Sequence, residues 1–297
     1  MREFVALGTA SQVPTRTRNH NGYVLRWDGE GLLFDPGEGT QRQMLYAGVP
    51  AGQITRICLT HVHGDHCFGL PGVLSRMALD GVSHPVPLHY PASGEAVVRA
   101  LVSVSTPGID LRLYPHGGAG TIAPGLQVRP LKHRIETYGY RLDEPDGRSL
   151  LPDRLAAAGI KGADVGRLQL KGVLGGVRLE DVSVPRPGQS FAFVMDTAPC
   201  AGAEDLADRV DLLVAESTFS DDDGRLARQY SHLTAGQAGE LAAGAAVGML
   251  ILTHFSSRYG EDITHLGAQA RARARGSTVI AAKDLDRIAF PKRRRLP

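Results

Sequence analysis

Cysteine is scarce. Three residues in 297, Cys58, Cys67 and Cys200, are too few and too scattered for a disulfide framework, which points to a reducing compartment. Long apolar runs are missing too: nothing approaches the roughly 18 uninterrupted apolar residues of a membrane span. The opening MREFVALGTA contains an acid and no apolar stretch of signal-peptide length, so a cytoplasmic location is the expectation. Aromatics make up only 6%, and a strong charge of either sign is absent, since 33 Lys and Arg face 31 Asp and Glu. A net charge of +2 does not by itself advertise a polyanionic partner. What remains, 42% hydrophobic and 22% charged, excludes disorder and describes a globular chain long enough for one large domain.

The charge is less even than its total. Arg129 to Arg178 holds ten Lys and Arg against six Asp and Glu, and Lys292-Arg293-Arg294-Arg295 forms a second basic run. Such runs are usually solvated faces, so they lend a nucleic-acid partner modest support.

Strand and helix signals alternate along the chain. Phe4–Gly8, Tyr23–Trp27, Leu32–Asp35 and Arg56–Thr60 read as strands, as do Val86–Tyr90, Leu126–Lys132 and Tyr138–Leu142. Phe191–Met195, Leu212–Ala215 and Met249–Thr253 are short continuous apolar strands that stop at Asp196, Glu216 and His254. Thr40–Ala47, Leu70–Leu79 and Ala235–Val247 have helical composition. The fold class is α/β. Residues 144–187 are rich in Gly, Pro and charge and read as an extension of a single domain.

Chemistry concentrates at Thr60-His61-Val62-His63-Gly64-Asp65-His66, where four metal-competent side chains fall within six residues after an apolar strand. In extended backbone, residues two apart project to one side, so His61 and His63 can reach one ion. Gly64 lets the chain turn, and Asp65 and His66 can then face another. Imidazoles with a carboxylate suit Zn2+, with Mn2+ or Fe2+ as alternatives. The competing reading is a His-rich surface loop that scavenges metal. Four ligands do not complete two ions, and strand ends supply three more candidates: His133, Asp196 and His254. Any one alone could be a core-edge or capping residue; all three share one placement. His20, His84, His89, His116 and His265 read as ordinary surface or edge residues, and Cys67 lacks a base partner for thiol chemistry.

These residues resemble the metallo-β-lactamase superfamily and, within it, the ribonuclease Z family of tRNA 3′-processing endonucleases. The segments that carry the resemblance run from about Phe4 to about Phe290. They include FDPGEGTQRQ (34–43), the His61 motif, Gly69-Leu70-Pro71-Gly72, Ala215-Glu216-Ser217-Thr218-Phe219, His232-Leu233-Thr234 and His254-Phe255-Ser256-Ser257-Arg258-Tyr259. The resemblance implies an αββα sandwich, a metallo-β-lactamase fold carrying an inserted flexible arm. It implies two zinc ions per subunit, one on His61, His63 and His133, the other on Asp65, His66 and His254, with Asp196 bridging. Asp65 matches the proton acceptor, His232 and Glu216 a pair that assists the leaving 3′-oxygen, and Asp35 a carboxylate supporting the histidine loop. The implied substrate is precursor tRNA, cut after the discriminator nucleotide to leave a 3′-hydroxyl. The implied assembly is a homodimer in which one subunit's arm serves the other's site.

Two departures stand out. Gly159-Ile160-Lys161-Gly162 replaces the Gly-Pro and clustered lysines seen in many arms. Pro14-Thr15-Arg16-Thr17-Arg18-Asn19 carries Arg where the family's P-x-K-x-R-N signature, linked to the choice of cleavage position, has Lys. Two other readings compete. One is a hydrolase of the same fold acting on a small phosphodiester, thioester, lactone or sulfate ester, which would need neither arm nor trailing motifs. The other is a silent RNA-binding relative, which would have lost ligands.

Overall fold

The computed structural model of the chain describes residues 2–293, so Arg294 and Arg295 of the second basic run lie outside the described residues. Two compact units emerge. The larger comprises the described residues up to Leu142 together with Phe191–Pro291; the smaller is Asp143–Ser190 with Lys292 and Arg293.

Two seven-stranded sheets form the larger unit. In the first, the strands run in the order Arg287–Ala289, Glu3–Gly8, Gly22–Trp27, Glu30–Phe34, Arg56–Cys58, Val86–Pro91, Leu111–His116. In the second the order is Thr278–Ala281, Met249–Thr253, Leu212–Glu216, Ser190–Val194, Tyr138–Asp143, Leu126–Pro130, Gly120–Ala123.

Residue parity explains why several strands read as unbroken apolar runs. Phe191, Phe193, Leu212 and Val214 point between the sheets, where they meet Phe34, Leu32, Tyr23 and Phe4. Their neighbours Ala192, Val194, Leu213 and Ala215 point outward, under a layer of helices. A strand buried on both faces has no polar side to show. About half of the aromatics gather between the sheets, with Phe34 stacked on Phe193 at 4.6 Å between ring centroids.

Helices cover both outer faces. Met44 of Thr40–Tyr46, Val73, Leu74 and Met77 of Leu70–Leu79, and Val98 of Glu95–Ser103 seal the first sheet. Ala201–Ala207, Ala235–Gly244 and Thr264–Arg273 seal the second, largely through alanines. Small residues are required there: a Cβ on Gly239 would sit 2.5 Å from the Ala270 carbonyl oxygen. The result is an αββα sandwich. Among the described residues no helix is long and apolar enough to cross a membrane.

The smaller unit has a core of its own, with Leu155 of the helix Pro152–Ala157, Leu168 of the helix Ala163–Lys171, and Val182 at its centre. Four of its cations are engaged with nearby acids: Arg167 with Asp164, Arg178 with Glu180, and Arg186 and Arg293 with Glu144. Lys161 and Lys171 are exposed, with no acid partner among the described residues.

Candidate metal centre

Ligands in α/β sheets gather beyond the carboxyl ends of parallel strands, and the polar residues of this chain do the same. Ser190–Val194, Leu212–Glu216 and Met249–Thr253 are parallel neighbours in register, and their ends deliver Asp196, Glu216 and His254 side by side. In the first sheet Glu30–Phe34 and Arg56–Cys58 are also parallel, and deliver Asp35 and the His61 loop. Asp35, Asp196 and His254 leave their strands with positive φ of 43°, 42° and 62°. That left-handed turn swings each side chain over the sheet edge, at a cost of about 1–2 kcal/mol per non-glycine residue.

All seven candidate ligands come together. His61, His63, His133 and Asp196 form one group, and Asp65, His66 and His254 a second, the ligand atoms of each lying within 4.8 Å of one another. Asp196 faces both groups. Its Oδ2 is 3.6 Å from His61 Nε2 and 3.7 Å from His133 Nε2, while its Oδ1 is 3.4 Å from His66 Nε2 and 3.1 Å from His254 Nε2.

Second partners fix which ring nitrogen faces inward. His66 Nδ1 donates to Asp35 Oδ2 at 2.8 Å, and the Thr60 amide donates to Asp35 Oδ1 at 2.7 Å. The Thr60 hydroxyl donates to Asp35 Oδ2 at 2.7 Å and accepts from His61 Nδ1 at 2.9 Å. His133 Nδ1 donates to the Ser231 carbonyl at 3.1 Å. In each case Nε2 is the nitrogen turned toward the cluster. His63 turns Nδ1 inward instead, 2.9 Å from His61 Nε2.

The electrostatics ask for cations. Asp35, Asp65, Asp196 and Glu216 are all buried, and among the described residues they pair with histidines and with no Lys or Arg. Burial and then His66 hold His61 well below its ordinary value. Burial also pulls His66 down, but Asp196, Asp65 and Asp35 outweigh it and raise it well above. Burial lowers His232 as well, yet Glu216 and then Asp196 overcome it and lift the imidazole to about 9. His133 Nε2, Asp196 Oδ1 and His254 Nε2 are buried with no hydrogen-bond partner among the described residues. Unsatisfied buried groups of this kind are rare, and divalent ions would satisfy all three.

Beside the ligands, His232 Nδ1 lies 2.9 Å from Glu216 Oε1, so its Nε2 is the nitrogen left to the cavity. The cavity, of about 330 Å³, is lined by His63, Asp65, His133, His232 and His254 with Arg134 and Arg258 at its sides.

The sequence profile of the metallo-beta-lactamase superfamily matches residues 15–254. The chain is 56% identical to ribonuclease Z of Streptomyces coelicolor over 99% of each sequence, and 55% identical to that of Nocardia farcinica with the same coverage. The chain belongs to the ribonuclease Z family. Among solved structures, the short form of human tRNase Z superposes with a TM-score of 0.70 at 24% identity, covering 98% of this chain and all of that one, which shows the shared fold. This member of the ribonuclease Z family is thus a metal-dependent hydrolase built on the metallo-β-lactamase fold, with His and Asp clusters suited to divalent metal.

Several residues at the ribonuclease Z site carry no role in the sequence reading. Asn21 Nδ2 lies 3.1 Å from His66 Nε2, and Tyr23 hydroxyl ties the Asn21 side chain at 2.5 Å to Thr253 at 2.9 Å. Asn21 reaches the same sheet edge because its strand, Gly22–Trp27, runs antiparallel to Glu30–Phe34, but it precedes that strand, so the strand-end mark of the other ligand-side residues does not reveal it. Thr218 and the Ser231 carbonyl leave no such mark. Within PTRTRN the two arginines divide: Arg16 is exposed, whereas Arg18 is buried and donates to the Gly260 and Glu261 carbonyls, tying this loop to the one after His254. Three of the five histidines read as surface or edge residues, His20, His89 and His116, are buried. Cys67 is buried as well, and desolvation pushes its thiol up to about 12, which excludes a thiolate at neutral pH.

Proposed function

We propose that the chain removes the 3′ trailer from precursor tRNA, using two zinc ions per subunit to hydrolyse the phosphodiester after the discriminator nucleotide and leave a 3′-hydroxyl on the tRNA. The supporting observation is the division of Asp196, one carboxylate oxygen facing each ligand group, with the His232–Glu216 pair in the same cavity. His61, His63 and His133 would hold one ion and Asp65, His66 and His254 the other, with Asp196 placed to serve both. When bound, the ions acidify a water and neutralise charge on the phosphate.

The protein's own groups do the rest. Asp65 accepts the proton of the attacking water on a carboxylate oxygen. As the new bond to phosphorus forms, the bond from phosphorus to the 3′-oxygen breaks, and His232 donates from Nε2 to that oxygen. Glu216 keeps the imidazole oriented and charged for the transfer. Arg134 and Arg258 flank the cavity where neighbouring phosphates would lie, and position without reading sequence. Residues 144–187 serve as the tRNA-binding arm, with Lys161 and Lys171 as its free cations. The protein works in the cytoplasm as a homodimer; Leu45, Tyr46 and Leu79, exposed along one outer helix layer, offer an apolar surface for a second copy, to be tested by analytical ultracentrifugation.

The decisive test is cleavage of a 5′-labelled precursor tRNA with and without chelator, mapping the product end to one nucleotide. A metal-dependent cut immediately after the discriminator supports the proposal, and a CCA-ended control reports on Arg16. Hydrolysis of small esters without tRNA cleavage would reassign the substrate.

A further inference from the structure

We infer that Thr218 is a positioning residue that joins the leaving-group acid to a metal ligand, its hydroxyl linking Glu216 to His254. The inference rests on the proposed roles of His232 and of His254, and takes them one residue further.

Thr218 is buried between the two groups. Its Oγ1 lies 2.5 Å from Glu216 Oε2 and 2.7 Å from His254 Nδ1. The carboxylate only accepts, so the single hydroxyl proton goes to Glu216. The oxygen is then left as an acceptor toward the imidazole, and His254 Nδ1 must carry hydrogen. His254 Nε2, buried and without a hydrogen-bond partner among the described residues, is therefore the bare nitrogen that faces Asp65 and Asp196.

The opposite sheet repeats this device. Thr60 donates to Asp35 and accepts from His61 Nδ1. The two relays differ in where the carboxylate's other contacts lead. Beyond the relay Asp35 binds the Thr60 amide and His66, so it serves ligands on both sides. Glu216 uses Oε1 to hold the Thr197 amide at 2.7 Å and His232 at 2.9 Å. One buried carboxylate thus orients the proton donor with one oxygen and, through Thr218, a ligand with the other. Thr218 Oγ1 is 3.4 Å from His232 Nδ1, so the direct contact between threonine and donor is the weaker one.

The test compares Thr218→Val, which keeps shape and removes the hydroxyl, with Thr218→Ser, which keeps it, and with Thr60→Val. Zinc affinity is measured on metal-stripped protein by chelator competition. Cleavage of precursor tRNA is compared with hydrolysis of bis(p-nitrophenyl) phosphate, whose leaving group needs no proton, at saturating zinc. Thr218→Val is expected to weaken zinc binding by about 10–100-fold and to depress tRNA cleavage about tenfold more than ester hydrolysis. Thr218→Ser restores both. Thr60→Val weakens zinc binding but leaves the ratio of the two activities unchanged, because Asp35 orients no proton donor. Wild-type zinc affinity in Thr218→Val, or an unchanged activity ratio, overturns the inference. Should Thr218→Val not fold, 15N NMR of the wild-type imidazole decides instead: hydrogen on Nδ1 of His254 supports the relay, and hydrogen on Nε2 refutes it. If the wild type cuts no tRNA, the substrate assignment fails while zinc affinity and tautomer still judge the relay.

Discussion

Gly37 offers a perturbation whose size can be worked from contacts. It lies in the Asp-Pro-Gly turn after the strand Glu30–Phe34, and a Cβ there would stand 2.1 Å from the Asp65 carbonyl oxygen and 2.8 Å from that of Asn21. Neither neighbour is a side chain that can rotate away. Nor can the turn slide, because the Gly37 amide donates to Asn21 O at 2.8 Å and the Gly69 amide to Pro36 O at 2.8 Å. Gly69 is itself packed so closely that its own Cβ would meet Gly37 O at 1.9 Å. Gly37→Ala must therefore part the two backbones by about 1 Å, carrying Asp65 and His66 away from His61 and His63. Overpacking of this kind costs about 1–3 kcal/mol, and at roughly 2–4 °C per kcal/mol the Tm falls by several degrees. A misplacement of about 1 Å in a catalytic arrangement costs on the order of 10²-fold in rate. Thermal denaturation by circular dichroism and a precursor-tRNA cleavage assay read the two effects. Gly29→Ala, with nothing within 4 Å of its added carbon, is the matched control and should change neither. A Gly37→Ala enzyme within threefold of wild-type rate and unchanged in Tm would show that the turn does not hold the histidine loop in register.

Other outcomes are equally specific. Asp65→Ala should lower cleavage by at least about 10²–10⁴-fold, the range for a general base, while gel-shift binding of precursor tRNA persists. Lys161→Glu combined with Lys171→Glu should weaken tRNA binding and flatten its salt dependence by about two phosphate contacts, yet leave hydrolysis of a small phosphodiester intact. His89, buried beside the Arg56 guanidinium that donates to it at 2.7 Å, is lowered by burial and then Arg56 from 6.5 to about 3. It takes up a proton only in the unfolded chain, so its contribution is whole above about pH 6.5 and drains away as pH falls toward 3. Tm measured from pH 7 to 4 should fall less steeply in His89→Gln than in wild type, and parallel curves would count against the assignment. Stripping metal should lower Tm most at neutral pH, where the buried carboxylates Asp65 and Asp196 lose their cations. Restoring zinc at about 1,000 times its Kd should recover about 4 kcal/mol.

What could be read from the sequence follows from how each feature is encoded. The candidate ligands announced themselves because they sit where an apolar strand stops, as with Asp196 after Phe191–Met195 and His254 after Met249–Thr253. Helix limits were visible where the pattern was strong: Leu70–Leu79 matches residue for residue. Edge strands were not, since Leu111–His116 alternates with exposed Arg112 and Tyr114 and ends in Pro115-His116, which blurs the period. Thr218 was invisible for another reason. Its importance lies in which two atoms its hydroxyl touches, 2 and 36 residues away in sequence, and only the parallel register of Leu212–Glu216 with Met249–Thr253 brings them together. The left-handed backbone at Asp35, Asp196 and His254 was equally silent, because none is a glycine.

That backbone geometry also constrains how the gene can change. At a positive φ, the residues tolerated with least strain are Gly, Asn, Asp and His; at Asp35, Asp196 and His254 most other replacements meet a conformational barrier as well as a chemical one. A duplicated copy freed from selection on catalysis would still be held to folding. Its first accepted changes at these three positions should be to Asn or Gly, with Val, Ile and Thr appearing last. Within a collection of decayed copies, that narrow replacement spectrum would persist after the histidines of the His61 loop, where no such backbone filter operates, had already diversified.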